Sequence, residues 1–366
     1  TESRFGPDCT LPLYFHCITI CRVGILKISH FEVTPYSIPF VKPLHTARKT
    51  YTNREGVWLQ LQWEDYKGIG EAAPLKGFSC ENMKEVYYAL EGFHQAIDGE
   101  SFDSEDFIEL INIHTEDIPS ARFALETAIF DILSQKSKKP LAEFLNPKSK
   151  SQVSVNGIVE VHLPSDGFSV MKAKVGFRNL FDEIEHLVML TKSFGEDVSF
   201  RLDANGAFDL PQAIRFCKEM EAFNIDYIEQ PLPSDELVDL AELSYHTKIP
   251  IAVDESLTDY NSAEKIIENQ AADVFIIKPM VSGGFSECKK IICLAREENI
   301  RIVITSSLET NIGRMACLHL AAANEITEAC GLSTGSLLSE DKPPNPIQNG
   351  IVSLTNTPGM GIGIIS

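Results

Sequence analysis

The chain has 366 residues, an apolar content of 44% and a formal net charge of −20. This length is enough for a barrel of about 250 residues together with a smaller domain. So much negative charge argues against nucleic acid and anionic membranes as partners. A small anionic ligand would have to be attracted by positive charge held locally. No apolar run in the sequence is long enough to span a membrane.

The cysteines and the first residues bear on where the protein works. The nine cysteines are odd in number and fall mostly within apolar, periodic stretches. They are typical of small buried side chains in a reducing compartment, so we expect a cytoplasmic protein. Residues 1–23 lack the basic start of a signal peptide, and we interpret them as an extension of unassigned role.

Strand patterns come first in the remaining chain. Residues 26–33 and 57–63 alternate between apolar and polar side chains, as half-buried strands do. The polar stretch between them, residues 43–56, is predicted to be a loop. It carries three cations, Arg48, Lys49 and Arg54.

Helix patterns follow these strands. Residues 81–97 and 120–137 have apolar side chains at helical spacing, and Ser120 is expected to cap the second helix. Strands followed by helices predict an α+β unit over residues 24–150.

The rest of the chain repeats a simpler unit. Five short apolar segments each end in a charged residue, and these ends are 24 to 29 residues apart. A step of this size holds one strand, one helix and two short loops, which is typical of parallel β/α units. The five end residues are Lys174, Asp203, Glu229, Asp254 and Lys278. Residues 153–159, 301–307 and 330–335 are expected to supply the first, seventh and eighth strands of a (β/α)8 barrel, whose strand ends meet at one face.

A cup with three carboxylates needs a compensating cation, because like charges at short range disfavour the ionised form. Oxygen ligands without a nearby histidine or cysteine suit a hard ion, so we expect Mg2+, with Mn2+ as the alternative. Lys172 and Lys174 are two residues apart on a strand and share the inward face. We expect Lys172 to help keep Lys174 in its neutral, basic form, with Lys278 facing Lys174 across the cup.

The ordered set K-x-K, D-x-N, E-Q-P, D-E-S and K-P resembles the enolase superfamily, in its muconate-lactonizing-enzyme-like subgroup. The resemblance implies a (β/α)8-type barrel over residues 151–340. An α+β capping domain would be formed by residues 24–150, with residues 341–366 returning to it.

The resemblance also implies roles for single residues. It places the metal ligands at Asp203, Glu229 and Asp254, and the acid/base pair at Lys174 and Lys278. Residues expected to hold the site in place or to meet the substrate are Lys172, Asn205, Glu255, Ser306, Ser307, Arg48 and Phe78. In the family the loop over residues 43–56 closes over the substrate, so its other cations, Lys49 and Arg54, are also expected to meet substrate carboxylates. Arg201 shares the face of Asp203 and is expected to orient it.

Within this subgroup the sequence resembles o-succinylbenzoate synthases, in the stretches around Phe78 and the seventh-strand hydroxyls Ser306 and Ser307. Such enzymes dehydrate 2-succinyl-6-hydroxy-2,4-cyclohexadiene-1-carboxylate in menaquinone biosynthesis. Dipeptide epimerases of the subgroup resemble one another in a D-x-D pair that binds the substrate ammonium, and residues 331–335 contain no acid. N-succinylamino acid racemization and dipeptide epimerization remain alternatives. A non-catalytic metal-binding barrel is a third hypothesis, against which the lysine pair argues. The sequence leaves the oligomeric state open.

Overall fold

The computed structural model describes residues 24–45, 50–339 and 345–362. An antiparallel three-stranded sheet opens the described chain. Its strands are β1 (His30–His45), β2 (Thr50–Trp63) and β3 (Tyr66–Ala72). Arg48, Lys49 and the extension over residues 1–23 lie outside the described residues.

The prediction of a loop over residues 43–56 is wrong, because β1 and β2 form one long hairpin. Pairing runs from His30 opposite Gln62 to Pro39 opposite Asn53, and after an irregularity it continues to His45 opposite Thr50. The prolines and polar residues suggested a loop. They are tolerated because β1 is an edge strand, where a missing backbone donor leaves no neighbour unpaired.

Four helices follow this sheet: α1 (Met83–Ile97), α2 (Ser104–His114), α3 (Pro119–Lys136) and α4 (Leu141–Leu145). The two predicted helices correspond to α1 and α3. The central helix α3 packs against β3 so closely that a Cβ on Gly70 would lie 2.0 Å from the carbonyl oxygen of Ala124. Ser120 is not the cap of α3, since the helix begins one residue earlier with Ile118 at the N-cap. The backbone N–H of Ser120 instead donates to a carboxylate oxygen of Glu81 (2.9 Å).

The second half of the chain forms a parallel barrel with helices between its strands. Seven strands lie in the spatial order β11-β10-β9-β8-β7-β6-β5. These strands are β5 (Gly157–Ile158), β6 (Val170–Lys174), β7 (Ser199–Asp203), β8 (Ile225–Glu229), β9 (Ile251–Val253), β10 (Val274–Ile277) and β11 (Arg301–Ile304). A separate two-stranded sheet is formed by β4 (Gln152–Ser154) and β12 (Ile351–Ser353). The helices are α5 (Leu180–Phe194), α6 (Leu210–Met220), α7 (Leu237–His246), α8 (Tyr260–Glu268), α9 (Pro279–Ser282), α10 (Gly284–Glu297) and α11 (Asn311–Ala323). The expected fold, a barrel of β/α units beside an N-terminal α+β unit, is confirmed.

The circuit of the barrel closes through short contacts. The predicted first strand is divided, because β4 pairs antiparallel with β12 and only β5 joins the parallel sheet. The eighth position is occupied by Cys330 and Gly331, which make single parallel bridges to Val155 and Thr305. Extended strand is therefore shortest where the barrel closes.

Arg201 lies inside the barrel, but it does not bind Asp203. Its guanidinium donates to Asp226 (2.8 Å), to Asn156 (3.3 Å) and to the carbonyl oxygen of Ala329. Asp226 begins its strand, so these contacts lie toward the end of the barrel opposite the carboxyl ends. The expectation that Arg201 orients Asp203 is not supported.

A buried histidine joins the barrel to the end of the described chain. His319 on α11 accepts at Nδ1 from the backbone N–H of Ala142 and donates from Nε2 to the carbonyl oxygen of Met360, both at 3.1 Å. This pairing requires the neutral ring. Burial lowers the pKa of His319 to about 4.

The depressed pKa of His319 predicts a loss of stability in acid. The unfolded chain takes up this proton near pH 6.5, whereas the folded chain takes it up only near pH 4, so protonation favours unfolding. The stabilisation is complete above pH 6.5 and falls by up to about 3 kcal/mol as the pH drops toward 4. Urea unfolding at pH 7 and pH 4.5 measures this change. His319→Gln should show a smaller acid loss than the wild type, and His246→Gln, at an exposed position, should not. Equal losses in all three proteins would contradict the assignment.

Candidate active site

The strand ends bring the predicted charged residues side by side. In the sheet Lys174 is opposite Asp203, and Asp203 is opposite Glu229. Strand β9 continues this row, and the chain reaches Asp254 one residue after it ends. Because the strands are parallel and in register, their carboxyl ends meet at one rim.

One cavity of about 560 Å³ opens at this rim. Most of the predicted site residues line it, namely Lys172, Lys174, Asp203, Asn205, Asp254, Lys278, Ser306, Ser307 and Phe78. Glu229 is fully buried beneath it, in contact with Lys172. Arg48 lies outside the described residues.

Two ammonium groups neutralise the carboxylates in this structure. The Nζ of Lys172 lies 2.6 Å from Glu229 and 3.0 Å from Asp203. The Nζ of Lys278 lies 2.6 Å from Asp254. The three carboxylates are almost completely buried, so each requires a cation within contact distance.

Burial and charge act in opposite directions on these groups. Burial lowers the pKa of Lys172, but the Coulomb attraction of Asp203 and Glu229 outweighs it and raises that pKa well above its usual value. Lys278 shows the same balance, with Asp254 as its main partner. Burial raises the pKa of Glu229, and the neighbouring acids raise it further. Both lysines are therefore cations in the arrangement described.

Lys174 differs from these two lysines in its partner. Its Nζ donates to the amide oxygen of Asn205 (3.2 Å), and no carboxylate lies within ion-pair distance of it among the described residues. The amide nitrogen of Asn205 donates in turn to Glu255 (2.8 Å). Asn205 has φ of 46°, a left-handed conformation that asparagine tolerates better than most residues. Asn205 therefore aims its amide between the lysine and the acid.

Gln230 is a functional residue that the sequence analysis missed. Its amide oxygen accepts from the backbone N–H groups of Asp254 and Ser256, both at 3.1 Å. These bonds fix the turn that carries Asp254 and Glu255. A signal was present in the sequence, because an amide directly follows the strand-end acid Glu229.

The donors suit a hard divalent ion. Asp203, Glu229 and Asp254 offer only carboxylate oxygens, which Mg2+ prefers. Buried carboxylate oxygens at Asp254 (Oδ1) and Glu255 (Oε2) have no hydrogen-bond partner in the described structure. Among the described residues no three acidic, histidine or cysteine side chains are placed to hold a metal ion as they stand. The ammonium groups of Lys172 and Lys278 lie in contact with the carboxylates instead. The donor atoms of these residues fit the ion in chemistry, and the two ammonium groups now balance the charge that it would balance.

The opposite walls of the cavity are apolar or hydroxylated. Phe78 lies over the ammonium of Lys278, with 5.6 Å from Nζ to the ring centre. Ser306 donates to Glu309, and both carboxylate oxygens of Glu309 accept from the backbone N–H of Ser307 (2.8 Å). The hydroxyl of Ser307 is buried and has no hydrogen-bond partner among the residues that the structure describes. Of these groups, the Ser307 hydroxyl can donate a hydrogen bond to an anionic or carbonyl group.

Arg54 stands behind these walls. It was expected on a loop with cations that meet the substrate, but it is 1% exposed and donates only to backbone carbonyl oxygens. Its strand position follows from the long hairpin. The expectation of direct contact with the substrate is therefore wrong for Arg54.

Family comparisons agree with this geometry. Residues 159–365 match the family model described as "Enolase C-terminal domain-like". The chain belongs to the enolase superfamily. Residues 28–132 also match the model "MenC, N-terminal domain".

Three characterised relatives have different activities. The chain is 27% identical to the L-Ala-D/L-Glu epimerase of Bacillus subtilis, over 92% of this chain and 97% of the relative. A solved structure of that epimerase in a substrate-liganded complex has a TM-score of 0.84 at 26% identity, covering 92% of this chain and 98% of that chain. Identity is 27% to the o-succinylbenzoate synthase of Desulfotalea psychrophila, over 84% of this chain and 93% of the relative. Identity is 29% to the N-succinylamino acid racemase of Thermus thermophilus, over 93% of this chain and 95% of the relative. Such even similarity supports the superfamily without selecting a substrate.

Metal binding is predicted to depend on the strand-end acids. Asp203→Asn should weaken Mg2+ binding at least about tenfold, because it removes one of the three anionic ligands. Isothermal titration calorimetry with Mg2+ measures this affinity. Glu160→Gln removes an equal charge from the exposed mouth of the same cavity and should change the affinity less than twofold. Equal weakening in the two variants would indicate a diffuse charge effect and contradict the assigned ligands.

Proposed function

We propose that this enolase-superfamily enzyme is a Mg2+-dependent carbon–oxygen lyase of the o-succinylbenzoate synthase type. It would dehydrate 2-succinyl-6-hydroxy-2,4-cyclohexadiene-1-carboxylate to the aromatic product, a step of menaquinone biosynthesis. A cytoplasmic location belongs to the proposal, because all six cysteines of the described residues are free thiols. No helix in that part of the chain could cross a membrane.

The observation that carries the proposal is the chemistry of the cavity wall at the seventh and eighth strand positions. Ser306, Ser307, Ser333, Thr334 and Ser336 line it, and the segment over residues 330–339 contains no acid. A substrate ammonium buried there would lack a counter-charge, which is unfavourable by several kcal/mol. Glu340 and Asp341 lie outside the described residues. A succinyl carboxylate, by contrast, would find the hydroxyls of Ser307 and Thr334, which have no hydrogen-bond partner among the described residues.

The chain's residues divide the chemistry between the two ends of the cavity. Asp203, Glu229 and Asp254 would hold Mg2+, which when bound supplies Lewis-acid stabilisation to a substrate carboxylate. Lys174 would remove the proton α to that carboxylate, and the resulting Lys174 ammonium would return this proton to the hydroxyl group, which leaves as water. Lys278 would hold positive charge against the enediolate from the other side. Phe78 shields Lys278 from solvent.

N-succinylamino acid racemization is the second candidate. It uses the same proton removal and then returns a proton to the opposite face. Lys174 and Lys278 both line the cavity, as a two-base racemase requires. Its substrate has no free ammonium, so the hydroxylated wall suits it equally well. Dipeptide epimerization is less favoured, because a dipeptide carries an ammonium group that needs a buried acid as its partner. Glu160 lines the cavity just after the first strand, but it is exposed at the cavity mouth.

The substrate assignment is tested by an assay panel of the purified protein with Mg2+. We expect formation of the aromatic product from the cyclohexadiene substrate, with kcat/KM at least 10⁴ M⁻¹s⁻¹, a typical enzymatic value. N-succinylamino acids and L-dipeptides should turn over more slowly. If no aromatic product forms while an N-succinylamino acid or a dipeptide is racemised efficiently, the synthase proposal is wrong.

The role of Lys174 is tested by isotope exchange. Lys174→Ala should fold and still bind Mg2+, but it should lose α-proton exchange with deuterated solvent by a factor of about 10² to 10⁴, since the base is missing. NMR of the substrate signal measures the exchange. Lys192→Ala, at an exposed position of α5 away from the cavity, is the control and should leave exchange within a few-fold of the wild type. Undiminished exchange in Lys174→Ala would require a different base.

A further inference from the structure

The side chain of Arg54 joins two separate walls of the active-site cavity. Toward the capping sheet it donates to the carbonyl oxygens of Ala73 and Pro74, the latter at 3.5 Å. Toward the barrel it donates to Ser307 (3.2 Å) and Leu308 (2.9 Å), again at carbonyl oxygens. We name residues 73–78 the capping wall and residues 306–308 the seventh-strand wall.

Both walls reach the substrate cavity on their other sides. Leu75 and Phe78 of the capping wall line it, as do Ser306, Ser307 and Leu308 of the seventh-strand wall. Arg54 itself does not line the cavity and is 1% exposed. It therefore acts on the cavity only through the groups it holds.

The seventh-strand wall needs such a support because its backbone is strained. Leu308 has φ of 66°, a left-handed conformation that a branched side chain adopts rarely. Its carbonyl oxygen accepts from Arg54, and its N–H donates to the hydroxyl of Ser306 (2.9 Å). Ser307 precedes Leu308 in this turn, and its hydroxyl has no hydrogen-bond partner among the described residues. Loss of one of the two hydrogen bonds of Leu308 would let the turn relax and move that hydroxyl.

The chemistry of the side chain explains why arginine suits the position. A guanidinium presents five donors in one rigid plane, whereas an ammonium presents three donors at a single point. Arg54 makes no ion pair within the described part of the chain, and it also donates to the carbonyl oxygen of Glu55 (3.1 Å). The rigid fork therefore acts as a spacer of fixed width between the two walls.

We propose that Arg54 is a positioning residue that sets the distance between the capping wall and the seventh-strand wall, and thereby the fit of the substrate end that lies away from the metal ligands. The inference rests on the proposed function in one respect: it assumes that the substrate's polar group farthest from the metal ligands contacts Ser306 and Ser307. The reacting end is held by other residues, so Arg54 affects binding more than the chemical step.

Steady-state kinetics of Arg54→Lys test this inference, with whichever substrate the wild type turns over fastest. We expect KM to rise at least tenfold, kcat to stay within about threefold, and Mg2+ affinity to stay within twofold. The matched control is Trp58→Phe. It removes another hydrogen bond between the capping sheet and the barrel, from Trp58 Nε1 to Thr310 (3.2 Å), but leaves Ser307 and Leu308 untouched. It should lower the melting temperature and leave KM unchanged.

Two results would overturn the inference. The first is that Arg54→Lys and Trp58→Phe lose similar amounts of melting temperature and that the KM of Arg54→Lys is no higher than that of Trp58→Phe. Arg54 would then have a structural role only. The other comes from the wild type and does not depend on a variant that folds. Hydrogen exchange should show residues 73–78 and 306–308 opening together with one free energy, and clearly different values for the two walls would contradict the link. Absence of aromatic product with the wild type would instead disprove the synthase proposal and leave this test intact with another substrate.

Discussion

Repulsion among three buried carboxylates is the constraint on which the rest of the site depends. Asp203, Glu229 and Asp254 stand on neighbouring strands, and parallel register brings them to one rim. Side chains alternate between the two faces of a strand, so one of these carboxylates can be turned outward only if every other side chain of its strand changes face as well. The fold therefore requires positive charge at this rim. Lys172 and Lys278 supply it here, and the same requirement makes the site receptive to a divalent cation.

The capping sheet and the barrel form one functional unit because buried polar groups cross between them. Glu71 on β3 accepts from the backbone N–H groups of Thr310 and Gly313 (both 2.9 Å), at the start of α11. A carboxylate at a helix N-terminus is favourable because unpaired N–H groups and the helix dipole both attract negative charge. On the other side, Glu126 of α3 accepts from the N–H of Ser286 (2.9 Å), close after the segment that carries Lys278. Cavity shape is thus set from outside the barrel as well as from within it.

Much of this architecture could be predicted from sequence, for a local reason. The charged residues at the strand ends are spaced by the length of one β/α unit. This spacing alone predicts the barrel and the common rim at which the charged residues meet. The long hairpin could not be predicted, because Pro43 and the polar residues around Arg54 are typical of a loop, and their pairing in β1 and β2 depends on partners across the hairpin. The contacts of Arg54 and Arg201 also could not be predicted from local sequence patterns. Their partners lie up to 254 and 128 residues away, so burial rather than sequence context decides their contacts.

A crystal structure with Mg2+ and o-succinylbenzoate tests the central claim most directly. The account predicts one ion in direct contact with Asp203, Glu229 and Asp254, with Lys278 released from Asp254. It also predicts that the second carboxylate of the product, the one remote from the ion, lies against the hydroxyls of Ser306 and Ser307. An ion bound elsewhere, with the lysine–carboxylate pairs unchanged, would contradict the account.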